Sequence, residues 1–299
     1  MKILIGYDGS ECADASLDDL KRSGLPEKVE ARILSVAEVW LPPPSSEATD
    51  EDVESSSVSS ILEPIYAKAK RALAEAEALA QRARSRVGAM FPSWTVTAAA
   101  TSGSPAWELV FLSDSWQPDL IVVGSQGLSA IGRLVLGSVS QVVLTEAQCS
   151  VRIARGRLDE PDTPVRIVIG VDGSPLSEIA VREVARRSWP ANSEVKVMVV
   201  EDTEDLPADQ SGTRVWAERI LMKSAAVLHE QGSLQVTTEI MPGNPKKELA
   251  RAAEEWGAGC IFVGSAGSSN SVGRFVLGSV SAAVASRAHC SVEVVRKRR

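Results

Sequence analysis

Ile5-Gly6-Tyr7-Asp8-Gly9-Ser10 returns 164 residues later as Ile169-Gly170-Val171-Asp172-Gly173-Ser174. Val122-Val123-Gly124-Ser125 returns after 140 residues as Phe262-Val263-Gly264-Ser265. The run from Gly132 to Ser140 (Gly-Arg-Leu-Val-Leu-Gly-Ser-Val-Ser) returns after 141 residues at Gly273 to Ser281, with Phe in place of the first Leu, and Cys149-Ser150-Val151 returns after 141 as Cys290-Ser291-Val292. A chain of 299 residues that repeats itself in this order is two copies of one domain, so a fold proposed for one half must serve the other. The changing offset locates the differences. The first copy holds 24 more residues between its opening strand and Gly124, and the second holds one more between Gly267 and Gly278. The domains are expected at 1–156 and 164–299, divided at the polar stretch near Gly156–Pro164.

Each copy shows the same alternation. Short apolar runs near 2–7, 29–36, 94–100, 119–124 and 150–154 read as strands, as do those near 165–171, 194–200, 234–240, 259–264 and 291–296. Helices are expected after Ser10 and Ser174, which suit N-caps, and after Gly103-Ser104-Pro105 and Gly243-Asn244-Pro245, where proline follows a polar cap. Further helices are expected at 137–147, 212–231 and 278–288. Strands alternating with helices make a doubly wound α/β fold with a parallel sheet covered on both faces. The first copy's surplus falls near residues 37–90. Pro42-Pro43-Pro44 and the acidic, serine-rich run to Ser60 predict a partly disordered loop, and the Ala/Glu/Arg-rich stretch to Val87 predicts one surface helix.

Composition narrows the function. A net charge of −7 argues against nucleic acid as the main partner. The basic end Arg296-Lys297-Arg298-Arg299 is expected to be a frayed, solvated tail. Cys12, Cys149, Cys260 and Cys290 lack the CxxC spacing of a zinc site, and Cys149 and Cys290 are expected to be packing residues in a reducing compartment. The opening Met1–Gly6 lacks a signal-peptide core and no apolar run reaches membrane-spanning length, so a cytoplasmic protein without a membrane partner is expected. His229 and His289 do not occupy matching positions, and no Ser-His-Asp set, metal cluster or P-loop lysine appears, so no catalytic residue is assigned.

Ligands of open parallel sheets bind beyond the carboxyl ends of the strands. In the first copy Asp8, Val36 and the Gly124-Ser125-Gln126-Gly127 turn converge there, with Gly137-Ser138 at a helix start. Glycine lets backbone amides approach a phosphate, and a helix start offers unpaired N–H groups and partial positive charge. Asp8 suits a ribose hydroxyl or a magnesium-bound water, although Asp-Gly is also a common turn pair. Ser138 and Ser279 suit phosphate contact or plain N-capping, and Arg133 and Arg274 are expected to be solvated.

Gly124-x2-Gly127-x9-Gly137-Ser138 resembles the nucleotide signature of the universal stress protein family, and Asp8-Gly9-Ser10 resembles its opening turn. The resemblance covers nearly the whole chain, as a tandem two-domain member. It implies flavodoxin-like or Rossmann-like five-stranded parallel sheets of order 3-2-1-4-5. In the family's ATP-binding branch adenine lies between the ends of the first two strands, with the phosphates on the glycine loop. Carried over by position, this implies contacts from Asp8, Val36, Gly124, Gly127, Gly137, Ser138 and Val139. The repeat then nominates Asp172, Val200, Gly264, Gly267, Gly278, Ser279 and Val280 in the second copy. That copy departs by its extra loop residue, and both copies carry Ser150 and Ser291 where many relatives have proline. The expected ligand is ATP, with or without magnesium, in a stress sensor or regulator; AMP or another adenine nucleotide stays open. A slow ATPase or self-phosphorylating enzyme, with Asp8 as the one nearby base, and a nucleotide-free interaction module for an unidentified protein partner are the alternatives. The final strands, Val151–Ala154 and Val292–Val295, offer edges through which the two domains are expected to pair within the chain, with a homodimer as a further option.

Overall fold

The computed structural model describes residues 1–39, 55–126, 136–155, 163–202, 211–230, 234–265 and 277–297, with the side chains of 55–62 and 211–213 left aside. The first half runs β1 (Lys2–Gly6), α1 (Glu11–Asp19), β2 (Glu30–Ala37), α2 (Ser55–Met90), β3 (Thr95–Ser102), α3 (Pro105–Trp116), β4 (Leu120–Gly124), α4 (Ser138–Glu146) and β5 (Ser150–Ala154). The second runs β6 (Arg166–Gly170), α5 (Pro175–Ala185), β7 (Glu194–Glu201), α6 (Ser211–His229), β8 (Gln235–Pro242), α7 (Pro245–Glu255), β9 (Cys260–Gly264), α8 (Ser279–Arg287) and β10 (Ser291–Val295). Helix α2 starts five residues before the expected Ser60, and the loop expected at 37–60 lies largely in 40–54, outside the described residues.

The two five-stranded sheets join into one of ten strands, in the order β3-β2-β1-β4-β5-β10-β9-β6-β7-β8. Each half has the order 3-2-1-4-5, and its strands are parallel. The single antiparallel seam pairs β5 with β10, Val292 opposite Ile153, Glu293 opposite Arg152 and Val294 opposite Val151. The strand edges left open by each half alone thus close on each other. Strands buried on both faces read as unbroken apolar runs, as in β1, where Ile3, Leu4 and Ile5 are fully buried.

The faces differ. Under α3, α4, α7 and α8 one apolar core runs across the seam, from Leu4, Leu109 and Val143 to Val168, Leu249 and Val284. Under α1, α2, α5 and α6 there are two cores, one around Ile3, Leu17, Ala80 and Val87 and one around Ile167, Val184, Leu221 and Phe262. Between these two cores the seam is ionic. Arg152 and Glu293 are fully buried there with Asp19 and Arg187.

The start of β10 and the end of the chain correct one expectation. Arg296 is not part of a solvated tail: it is 3% exposed. Its backbone N–H donates to Ser150 Oγ (3.1 Å), and its guanidinium donates to Cys149 O (3.2 Å) and Leu144 O at the end of α4. Arg155 makes the mirror set to Ser291 Oγ (2.9 Å), Cys290 O (3.4 Å) and Ala285 O (2.6 Å). The serines that stand in place of proline therefore each accept a hydrogen bond across the seam, and each arginine meets the negative end of the other half's last helix.

Candidate functional site

The first half opens a cleft of about 410 Å³ at the carboxyl ends of β1, β2 and β4. Its walls include Leu34, Val36, Ala37, Leu109 and Val123, and α2 closes one side with Ala72, Glu75, Ala76 and Leu79. Asp8, Gly124, Gln126, Gly137, Ser138 and Val139 complete it. The size falls within the roughly 300–1,000 Å³ usual for small-ligand sites.

Local chemistry positions each part. After β1 the chain turns through Gly9 at φ +78°, a conformation that favours glycine. Asp8 Oδ1 accepts from Ser10 N–H (3.0 Å) and Ser10 Oγ–H (2.6 Å), and Ser10 Oγ accepts from Ala13 N–H (3.1 Å), capping α1. Asp8 is thus a turn residue as well as a cleft residue. Ser35 Oγ donates to Tyr7 O (2.7 Å), clamping β2 to the exit of β1. The Tyr7 hydroxyl donates to Asp14 Oδ1 (2.7 Å) and accepts from Arg82 (3.1 Å); burial, then Asp14, pushes its pKa above the ordinary tyrosine value.

The end of β4 is glycine for a packing reason. A Cβ on Gly124 would lie 2.9 Å from Cys12 O and 3.0 Å from Cys12 C, both backbone atoms of α1, and one on Gly264 would lie 2.8 Å from Leu176 C in α5. Gly137 N–H donates to Ser125 O (2.8 Å) and Ser140 Oγ–H donates to Gly124 O (2.6 Å), so both ends of the intervening loop are tied to β4. Helix α4 is capped by Gly137 in extended conformation without any side-chain hydrogen bond, whereas α1 and α5 have serine caps. The structure overturns the N-cap reading of Ser138 and Ser279: each is the first helical residue, and Gly137 and Gly278 hold the cap positions. The first turn of α4, Gly137 to Ser140, lines the cleft.

The second half places Asp172, Val200, Gly264, Gly278, Ser279 and Val280 at the matching strand ends and helix start. Asp172 Oδ1 accepts from Ser174 N–H (3.0 Å), repeating the Asp8 turn. The surroundings differ. Leu79 Cδ2 and Ile220 Cδ1 each lie 2.7 Å from where a Cβ would sit on Gly9 and Gly173, so α2 and α6 superpose with Glu75 matched to Trp216. Trp216 is 46% exposed. Glu201 ends β7 where Ala37 ends β2, and its Oε1 is buried without a hydrogen-bond partner among the described residues. Gly127, Gly267, Arg133 and Arg274 lie outside the described residues. Among the described residues no His, Cys, Asp and Glu side chains group as a metal site, and no helix is long and apolar enough to cross a membrane.

Sequence reasoning missed the α2 wall. Its signal was present as Ala72, Ala76 and Leu79 at helical spacing, but neither end of that helix marked which sheet edge it crosses.

The family model described as the universal stress protein family matches residues 1–155 and again 165–296. A universal stress protein of Mycolicibacterium smegmatis is 32% identical over 208 residues, 65% of this chain and 67% of that protein. One from Mycobacterium tuberculosis is 31% identical over 193 residues, 60% of this chain and 63% of the relative, so the matched region spans under two thirds of that relative. The crystal structure of a universal stress protein from Archaeoglobus fulgidus DSM 4304 shares the fold, with a TM-score of 0.61 at 22% identity over 99% of this chain and 98% of that one. With two family matches in one chain and two sheets of order 3-2-1-4-5 fused at their final strands, the chain belongs to the universal stress protein family as a tandem, two-domain member.

Proposed function

We propose that the first half binds ATP in the cleft between β1, β2 and β4, and that the chain acts as a nucleotide-responsive regulator in a stress response. The observation that carries this reading is the bare helix start. Gly137 leaves the first-turn amides of α4 without a side-chain acceptor, at a cleft whose walls combine apolar groups such as Leu34 and Val36 with the carboxylates of Asp8, Glu38 and Glu75. A helix N-terminus of that kind stabilises phosphate by hydrogen bonding and by its dipole. Leu34, Val36 and Leu79 offer apolar surface for a base, and the carboxylate of Asp8 suits a ribose hydroxyl or a magnesium-bound water. When bound, the nucleotide supplies the phosphate charge that the α4 amides and Ser138 are arranged to receive. The second half keeps the same helix start but carries Trp216 and Glu201 where the first half has Glu75 and Ala37, so its nucleotide affinity is expected to be weaker.

Calorimetric titration of the full chain with ATP and magnesium tests this. One site of higher affinity, with a second weaker or missing, is expected. Absence of heat, together with no nucleotide released from freshly purified protein, overturns the reading. A cytoplasmic location belongs to the same proposal and is checked by fractionation of the producing cell.

A further inference from the structure

The seam between the halves has a local twofold symmetry, and its chemistry departs from that symmetry at one position. Cys149-Ser150-Val151 corresponds to Cys290-Ser291-Val292, so Arg152 corresponds to Glu293. The reciprocal contacts confirm the correspondence, because Arg155 and Arg296 reach matching serines and matching helix ends. At the centre of the seam, Arg152 faces Glu293 in the strand register. A symmetric pairing of two identical domains would set this residue against a second copy of itself.

Both side chains are fully buried. Arg152 donates to Glu293 Oε2 (3.4 Å) and twice to Asp19 of its own half (2.6 and 3.1 Å). Glu293 pairs with Arg187 of its own half, and Arg187 also donates to Ser23 O across the seam (2.8 Å). Asp19 in turn accepts from Ser291 Oγ–H across the seam (2.7 Å). The two copies have diverged to support this pair: Asp19 corresponds to Glu183, but Ser23 corresponds to Arg187, so only the second half brings a guanidinium to its acidic strand residue. Like charges directly opposed on paired strands repel, and the repulsion grows when they are buried.

We propose that Arg152 and Glu293 form a charge code that commits the first half to the second and rejects a second copy of either half at this strand edge. The partner this surface fits is an acidic-centred β10 edge for β5, and a basic-centred β5 edge for β10. Complementary charge sets partner identity, while Arg155, Arg296 and the shared apolar core supply contacts that either pairing could make.

Two full-length variants test the code, Glu293→Arg and Arg152→Glu. Each sets like charges against each other at the seam of its own chain. Each alone is expected to expose the β5 and β10 amides, with hydrogen exchange faster by roughly a hundredfold than in the parent. Co-expressed, the Glu293→Arg chain supplies Arg152 and the Arg152→Glu chain supplies Glu293, which restores one native pair between chains. A one-to-one dimer, resolved by native mass spectrometry, with slow exchange regained at the seam, is the expected result. If either variant alone exchanges like the parent, or forms a dimer with itself through this edge, the charge code is wrong. It is equally wrong if both variants loosen or fail to fold and co-expression yields no mixed dimer, because the pair would then contribute only general stability.

Discussion

Gly124 shows how a residue can fit a ligand motif for a reason unrelated to the ligand. A Cβ there meets the backbone of Cys12 at 2.9 Å, and backbone cannot swing aside. Gly124→Ala is expected to destabilise the fold by about 1–3 kcal/mol, read as a lower urea midpoint in the absence of nucleotide. A loss of ATP binding with an unchanged midpoint would contradict this. The thiols offer a second test. Burial pushes Cys149 and Cys290 up to about 12 and Cys260 up to about 11. An unfolded thiol ionises near about 8.5, so above that pH the unfolded chain sheds protons that the folded chain keeps. The stabilising effect of a neutral thiol is full below about pH 8.5 and is lost as pH rises toward the folded value. Cys290→Ala is expected to lessen the alkaline fall in stability by about 1–2 kcal/mol between about pH 8.5 and 10, measured by urea titration. At this scale the sequence made much of the site legible: Asp8, Val36, Gly137, Ser138 and Val139 do line one cleft. It could not separate ligand from packing at Gly124, because the close approach of α1 is a tertiary fact.

Helix α4 matters chiefly at its first turn. Its cap residue is extended (φ −65°, ψ 157°), a conformation open to any residue, so the glycine at 137 is not forced by the backbone. Gly137→Asp is therefore expected to cap the helix and raise stability by a few tenths of ~1 kcal/mol. The same carboxylate would stand where phosphate charge is proposed, weakening ATP binding by about tenfold or more. Opposite signs in thermal melting and in calorimetry are the expected pair of results; unchanged affinity would remove α4 from the phosphate site. The element order was readable because the central strands are apolar runs and several helices open on a cap or proline, as at Ser10, Ser174 and Asn244. Helix α2 was harder. Its alanines do not by themselves say which face is covered, and only the sheet shows that Ala80 and Ala83 are buried in the core while Ala72, Ala76 and Leu79 border the cleft.

The two halves of the molecule are held together across the seam. Strand pairing, the Arg155 and Arg296 contacts and the continuous core under α3, α4, α7 and α8 all cross it. A protease site inserted within 156–162, once cut, is expected to leave two fragments that co-elute in size-exclusion chromatography without denaturant; separation at micromolar concentration would show the seam to be weaker than its contacts imply. Pairing of the final strands could be anticipated from their open edges. The burial of Arg296 could not, since a basic chain end resembles a solvated tail until its partners, Ser150 and Leu144, are seen 146 and 152 residues away.

The antiparallel seam also fixes where each half faces. Strands within a half share one direction, and β5 and β10 run opposite ways, so the carboxyl ends of the two sets of strands emerge on opposite rims of one slab. Asp8 and the cleft beside it accordingly sit on one rim, and the matching turn at Asp172 sits on the other. The two rims also differ in chemistry, with Glu75 beside the strand ends of the first half and Trp216 at the matching place in the second.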